Sequence, residues 1–250
     1  MHAVLVSVDY SDILAITLPW NRHHYDRVTV VTSSEDALNV EPIAKANHAE
    51  MLVTDLFYSR GAVFNKWAAL EWALDQVGRD GWLCLMDADV CWPSVIPGFT
   101  REIGNLYSPL RRMYTNFPYP FVIPLENTWK DYTVHRNTAE WAGYSQIFHA
   151  KDEHLGDPPW HQIDWKHAGG ADSIFQRKWP RQNKIRPPFD VLHIGTAGSN
   201  WYGRASPYLD GNVHKKSAER TEMVMEIWNK RRAAYKEGLD GEDIWRREKL

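Results

Sequence analysis

The feature that most constrains this chain is the alternation of short apolar runs with amphipathic stretches across its first ninety residues. Residues 3–8 form an apolar run that ends at Asp9-Tyr10. Ser11 or Asp12 can cap a helix running to about Pro19-Trp20. Val28 to Val31 reads as a second strand, ending in Thr32 to Asp36, and residues 50–54 as a weaker third. Val63, Trp67, Leu70, Leu74 and Val77 then recur at alternating steps of four and three, the stripe of an amphipathic helix. Gly78 and Gly81 end it, and Trp82 to Met86 is a further apolar strand. Continuously apolar strands alternating with helices predict an α/β fold with a mostly parallel, twisted sheet covered on both faces. Ligands of such sheets bind outside the carboxyl ends of the strands. Asp9, residues 32–36 and Asp87 to Asp89 all fall at such ends.

Asp87-Ala88-Asp89 is the sharpest local motif. Hard cations take oxygen ligands, and magnesium-like sites use one or two carboxylates together with substrate phosphates. Along an extended strand Asp87 and Asp89 would face the same side. An Asp-rich turn at a strand end has the same sequence, so the motif alone does not decide.

Composition narrows the classes. The chain has 250 residues, enough for one large α/β domain, with 44% hydrophobic and 13% aromatic residues, which is globular usage. A net charge of -3 gives no overall basic field for nucleic acid or an anionic membrane. Thirteen tryptophans can fill a core, but their flat rings also stack on sugars and bases. Cys84 and Cys91 are too few for a disulfide framework and fit a reducing cytoplasm. The amino-terminal run reads as a strand rather than a signal peptide, and no run reaches membrane-spanning length. The expectation is a soluble, cytoplasmic protein with no transmembrane segment.

After Asp89 the regularity fades. Prolines 93, 97, 109, 118, 120 and 124 interrupt residues 92–144, which read as an irregular insertion over the sheet edge. Residues 145–168 are rich in aromatics and histidines, including Phe148, His149, His154, Trp160, His161, Trp165 and His167. Their spacing does not suit a zinc site, and the stretch reads as an acceptor-facing loop, with Tyr144 and Gln146 beside it. Gly169-Gly170 leads to Asp172 and a helix-like Ser173 to Trp179. Residues 189–194 form another strand, before a glycine-rich segment reaching Arg204. The expected organisation is one domain over residues 1–206, with a nucleotide-binding half to about 90 and an acceptor-side half from about 91. A helical extension, 207–250, would dock through Val224, Ile227, Trp228 and Tyr235.

The order of these signals carries a resemblance. A strand end at Val8-Asp9-Tyr10 comes first, then Asn65-Lys66 on a helix, then Asp87-Ala88-Asp89. Gly169 to Phe175 and His193-Ile194-Gly195 follow. Over roughly residues 1–204 this resembles the metal-dependent glycosyltransferases of the GT-A fold. The resemblance implies that Asp89 binds a manganese or magnesium ion, that Asp87 contacts ribose or metal, and that His193 completes the coordination. It implies donor contacts from Asp9 and Tyr10 at the base, from Asp36 after the second strand, and from Lys66, with Arg60 a weaker candidate. Asn200, Trp201 and Arg204 would close over the diphosphate. Asp172 would take the acceptor proton in an inverting reaction. Ala171 stands where the family often has a second acid, so Asp172 as base and Asp172 as acceptor partner both stay open. Asp164 and Glu126 are fallback acids. The implied activity is sugar transfer from a nucleotide diphosphate donor, a UDP-sugar first, to a hydroxyl of a glycan, small molecule, protein or modified nucleic-acid base. One alternative is a nucleotidyltransferase on a similar fold, which would want a basic, glycine-rich loop where Val8 to Asp12 is acidic. The other is a catalytically inactive glycan-binding relative.

Overall fold

The computed structural model describes residues 1–236 except 97, 116, 119, 135–140, 142, 196–199 and 213–215. Its first half alternates as the apolar runs require: β1 (His2–Val6), α1 (Ser11–Asn21), β2 (Arg27–Thr32), α2 (Ala37–Ala46), β3 (Glu50–Val53), α3 (Lys66–Val77) and β4 (Trp82–Asp87). The second half has shorter elements: β5 (Val90–Cys91), β6 (Leu106–Tyr107), β7 (Leu110–Tyr114), β8 (Ser145–His149), α4 (Ala171–Phe175), β9 (Lys184–Ile185), β10 (Asp190–Ile194) and α5 (Ser217–Lys236).

The main sheet has the order β3-β2-β1-β4-β8-β6-β9, and β5-β10-β7 forms a second, smaller sheet. β1 pairs in parallel with β2 on one side and β4 on the other, with Val6 opposite Asp87. β8 runs antiparallel to β4. The fold is therefore mixed α/β around a mostly parallel sheet. From β1 the chain steps outward to β2 and β3, then returns to place β4 on the opposite side of β1. This reversal is a topological switch, the place where open α/β sheets bind ligands outside the carboxyl ends of their strands, here those of β1 and β4.

Successive residues of β1 serve two cores. Ala3 and Leu5 pack with Leu14 and Leu18 of α1, whereas Val4 and Val6 pack with Trp67, Leu70 and Leu74 of α3. Each buried valine or leucine among them contributes roughly 1.5–3 kcal/mol of transfer free energy. α3 starts one residue after Asn65, whose Oδ1 accepts from the Ala68 amide at 3.1 Å. Gly78, at φ 86°, stops it. Val63 lies before the helix, its amide bonded to the Lys166 carbonyl.

Two expectations fail in the second half. The proline-rich stretch is not only an insertion, because β6 enters the main sheet and β7 the small one. The aromatic stretch begins as an interior strand, β8, with Ile147 and Phe148 fully buried. A strand buried on both faces shows no alternation, so its period was hidden. No helix of the described residues is long and apolar enough to cross a membrane. The side chains of Val224, Ile227, Trp228 and Tyr235 lie outside the described ones.

Candidate active site

β4 ends on Asp87, so Asp89 sits in the turn before β5 rather than on an extended strand. The same-side argument for the two carboxylates therefore does not hold. Tertiary bonds aim the turn instead. Thr17 Oγ1 donates to the Ala88 carbonyl at 2.6 Å, and the Ile194 amide donates to the Asp89 carbonyl at 2.8 Å. The second bond ties the turn to β10 and brings His193 alongside. His193 Nε2 lies 3.6 Å from Asp89 Oδ1, and both side chains are buried. That separation is too long for a hydrogen bond. Asp89 Oδ1 and His193 Nδ1 have no hydrogen-bond partner. Burial, then the Asp87 charge, pushes the Asp89 carboxyl up to about 7. Burial, then the Arg111 guanidinium, pushes His193 down to about 3, so the ring is neutral near pH 7 and its contact with Asp89 is not an ion pair. Neutral imidazole is the ligand form of histidine.

Asp87 faces elsewhere. Lys66 Nζ donates to its Oδ1 at 2.6 Å and to the Gly143 carbonyl at 3.2 Å. Lys66 is buried, not a solvated lysine at a helix start, and its ammonium lies over the Trp67 ring. The Gly143 amide donates to Asp172 Oδ2 at 2.7 Å. A side chain at Gly143 would put its Cβ 2.5 Å from Trp67 and 2.9 Å from Asp172 Cβ, so only glycine lets the chain pass. One lysine and one glycine residue thus connect Asp87 to Asp172. Asp172 is not a helix cap. Gly170 holds that position at φ 97°, and the helix ends at Phe175 with a 3-10 turn beyond, not at Trp179.

At the end of β1, Asp9 takes a positive φ of 61°. Its amide donates to Asp36 Oδ2 at 2.7 Å, and its carboxylate pairs with Arg220 Nη1 of α5 at 3.1 Å. Asp36 precedes α2 without capping it; its other oxygen accepts from Asn39. Burial raises the Asp36 carboxyl. Tyr10 lies under the Arg204 guanidinium, 4.8 Å from its ring centre. Burial, then the Asp89 charge, raises the Tyr10 hydroxyl, which places the ring within the field of that carboxylate.

Arg204 does not serve as the resemblance implied. It is fully buried, and Nε donates to the Ser206 carbonyl. Nη1 donates to the Asp9 carbonyl and Asp12 Oδ1, and Nη2 to Asp12 Oδ2 and the Pro207 carbonyl. A guanidinium has five N–H donors. All five are used inside the protein, leaving none for a phosphate. Asn200 Oδ1 accepts from the Ala205 and Ser206 amides and so shapes the same turn. Trp201 lies against Gly169, where a Cβ would come within 2.7 Å of its ring. Gly198 lies outside the described residues.

The histidine-rich stretch belongs to the core. His161 Nδ1 contacts Glu71 Oε1 at 2.6 Å, and its ring stacks between Trp67 and Phe175. Trp160, Trp165 and His167 are buried, so they do not form an acceptor-facing loop. Arg60 and Asp164 are exposed, and Glu126, half-buried, accepts from the Ser94 amide. Arg111 lies over the Tyr144 ring and Arg112 pairs with Asp190. Arg111 and Arg112 read from the sequence only as a local run of positive charge, and Arg220 was missed, because nothing local places Arg111 beside His193 or Arg220 beside Asp9.

Among the described residues, no three His, Cys, Asp or Glu side chains assemble into a metal cage. Asp87, expected with Asp89 and His193 as a ligand, is taken by Lys66. What remains is one carboxylate oxygen and one imidazole with ligand atoms unused. That set fits a divalent cation completed by substrate phosphates, and its nitrogen donor suits manganese as well as magnesium.

No model of a protein family matches the sequence, and no curated protein does. Solved structures with some likeness include a mycobacterial protein at 14% identity and TM-score 0.43, matched over 77% of this chain and 64% of that one. This chain thus spans less than two thirds of that protein's length. The inositol-1-phosphate CTP transferase of T. maritima is 9% identical with TM-score 0.44, over 90% of this chain and 96% of the other. The 4-diphosphocytidyl-2C-methyl-D-erythritol synthase of Anaerococcus prevotii is 10% identical with TM-score 0.40, over 90% and 95%. Likenesses this remote assign neither a family nor an activity.

Proposed function

We propose that this chain is a nucleotide-dependent transferase working with a divalent cation, its donor lying over the carboxyl ends of β1, β2 and β4. The observation that supports this most is the facing pair Asp89 and His193: two buried groups with unused ligand atoms beside the β1–β4 crossover. Asp89 and His193 would hold the ion, with Asp87 at the end of β4 meeting the donor. Such an ion neutralises phosphate charge as the leaving group departs. Lys66 fixes the orientation of Asp87. Asp172, half-buried and joined to Lys66 through Gly143, offers a carboxylate for the acceptor proton.

Within that class the first reading is sugar transfer from a nucleotide diphosphate sugar, a UDP-sugar first, to a hydroxyl, with inversion. The segment from the end of β1 into the first turn of α1 supports it. Its two acids, Asp9 and Asp12, are held by Arg220 and Arg204, whereas a loop gripping a triphosphate presents free amides and basic groups. The second reading is nucleotidyl transfer, which would use the same edge and cation.

Calorimetric titration of UDP, GDP and CDP, with and without manganese, tests the class. Metal-dependent binding of one nucleotide should weaken about 100-fold, roughly 2.7 kcal/mol, in Asp89→Ala. If no nucleotide binds with metal present, the reading fails. Product analysis then separates the two chemistries: nucleoside diphosphate released from a nucleotide sugar, or pyrophosphate released from a nucleoside triphosphate.

A further inference from the structure

The cations around the Asp89–His193 pair differ in what holds them. Lys66 is taken up by Asp87 and the Gly143 carbonyl, and Arg204 by its five acceptors. Arg111 is half-buried and comes from β7 of the small sheet. β7 runs parallel to β10, with Val191 opposite Arg111 and His193 opposite Met113. Strand side chains alternate, so Arg111, Met113, Val191 and His193 share one face of that sheet. Arg112 is on the other face, where it meets Asp190.

On the shared face the Tyr144 ring borders both groups. The Arg111 guanidinium lies 4.6 Å from its centre, and the His193 ring meets it edge-on at 6.5 Å between centres. Tyr144 is itself fixed: its hydroxyl donates to the Pro109 carbonyl, and its own carbonyl accepts from the Asp87 amide at 3.0 Å. The Arg111 charge reaches the pair. Burial lowers the His193 ring most and the Arg111 charge next. At Asp89, where burial and Asp87 raise the carboxyl, the charges of Lys66 and Arg111 pull it back.

An arginine placed this way repels an ion bound at Asp89 and His193 unless an anion lies between them. Asp87 is neutralised by Lys66, and the His193 ring is neutral. With a divalent ion bound, the cluster has an excess of positive charge, which a diphosphate balances and a neutral sugar does not. A guanidinium suits that task, because its fork matches phosphate oxygens while its plane stacks on an aromatic face. β7 lies beyond β10, on the side away from β5 and the Asp89 turn. Arg111 is thus farther than Asp89 from the ends of β1 and β2, where the nucleoside would lie.

We propose that Arg111, stacked on Tyr144, binds the distal phosphate of a nucleoside diphosphate donor. The proposal rests on the transferase reading above and adds the residue that tells a diphosphate from a monophosphate.

The test is calorimetry on the full chain, with manganese, using UDP, GDP and CDP and the three corresponding monophosphates. For the base that binds, the wild type should prefer the diphosphate. Arg111→Gln should weaken the diphosphate about tenfold, roughly 1.4 kcal/mol, and the monophosphate less than about twofold. Thermal melting checks that the variant is folded. Should it not fold, Arg111→Lys decides: it keeps the charge and loses the fork, and about a threefold loss confined to the diphosphate is expected. No loss, or an equal loss for both ligands, while Asp89→Ala still removes metal-dependent binding, overturns the role of Arg111 and leaves the transferase reading standing. Absence of metal-dependent binding by the wild type overturns both.

Discussion

Two buried charged clusters meet at Tyr10 and are built on opposite terms. Around Arg204 every N–H has an acceptor, and the guanidinium is sandwiched between Tyr10 and Tyr208. Around Asp89 and His193, a carboxylate oxygen and a ring nitrogen are left over. A closed polar network in a low-dielectric interior stiffens the fold, while an open one is under electrostatic stress until something enters it. The first cluster clasps the segment after β10 to the loop after β1. The second has the character of a place for a ligand.

The sharpest way to break this contrast is Arg204→Met. It leaves the half-buried Asp12 and three backbone carbonyls without their donor, and should cost about 3–5 kcal/mol. In a chain of this size that lowers the melting temperature by roughly 10 °C. A melt within a degree or two of wild type would mean that the clasp is dispensable. Asp89→Asn should behave in the opposite way. Without metal it melts at or above the wild-type temperature, because a charge is removed from a site that opposes it. The stabilisation that nucleotide with manganese confers, about 2.7 kcal/mol at a hundredfold excess over Kd, should vanish. Equal destabilisation by the two substitutions would erase the distinction. Gly143→Ala comes next. The added carbon meets Trp67 and Asp172, so about 1–3 kcal/mol of stability should be lost. Turnover should fall further than nucleotide binding, since Asp172 moves and Asp89 does not.

The smallest effect concerns a third, partly closed cluster. Burial would raise the Glu71 carboxyl, but the His161 hydrogen bond and the neighbouring positive charge outweigh it and hold it below 4.5. Burial holds the His161 ring below 6.5 against the pull of Glu71. Both groups bind protons more readily in the unfolded chain. Their contribution is therefore present at neutral pH and is lost on acidification, from about pH 6.5 for His161 and about pH 4.5 for Glu71. Urea midpoints measured across this range should fall less steeply below pH 4.5 in Glu71→Gln than in wild type.

The first half of the molecule was legible because its signals are local. Strand runs, the α3 stripe from Trp67 onward and its end at Gly78 all lie within a few residues of what they specify, although the stripe takes in Val63, which lies before the helix that Asn65 starts. The second half was not. β5, β6 and β9 are two residues long, too short to carry a period, and β8 is buried on both faces although Ser145, Gln146 and His149 are polar, so it shows neither an apolar run nor an alternation. Its histidines and tryptophans read as a binding surface, but Trp160, His161 and Trp165 fill the core between α3 and α4. The candidate site was legible by residue type and not by pairing. Asp87, Asp89, Lys66, Asp172 and His193 were all singled out, yet the bond from Lys66 to Asp87 and the bridge through Gly143 have no sequence signature.

Periodicity and caps act over single turns and strands, so the sequence by itself determined the α/β class and the strand ends where acidic residues gather. Which of those residues face one another depends on contacts between segments far apart in the chain. Only the tertiary structure decided that Arg204 is a sealed clasp, that Asp87 answers to Lys66, and that Asp89 meets His193 with ligand atoms to spare. The reason is that hydrogen-bond satisfaction is a property of the packed interior, where each donor and acceptor competes for partners that local sequence cannot name.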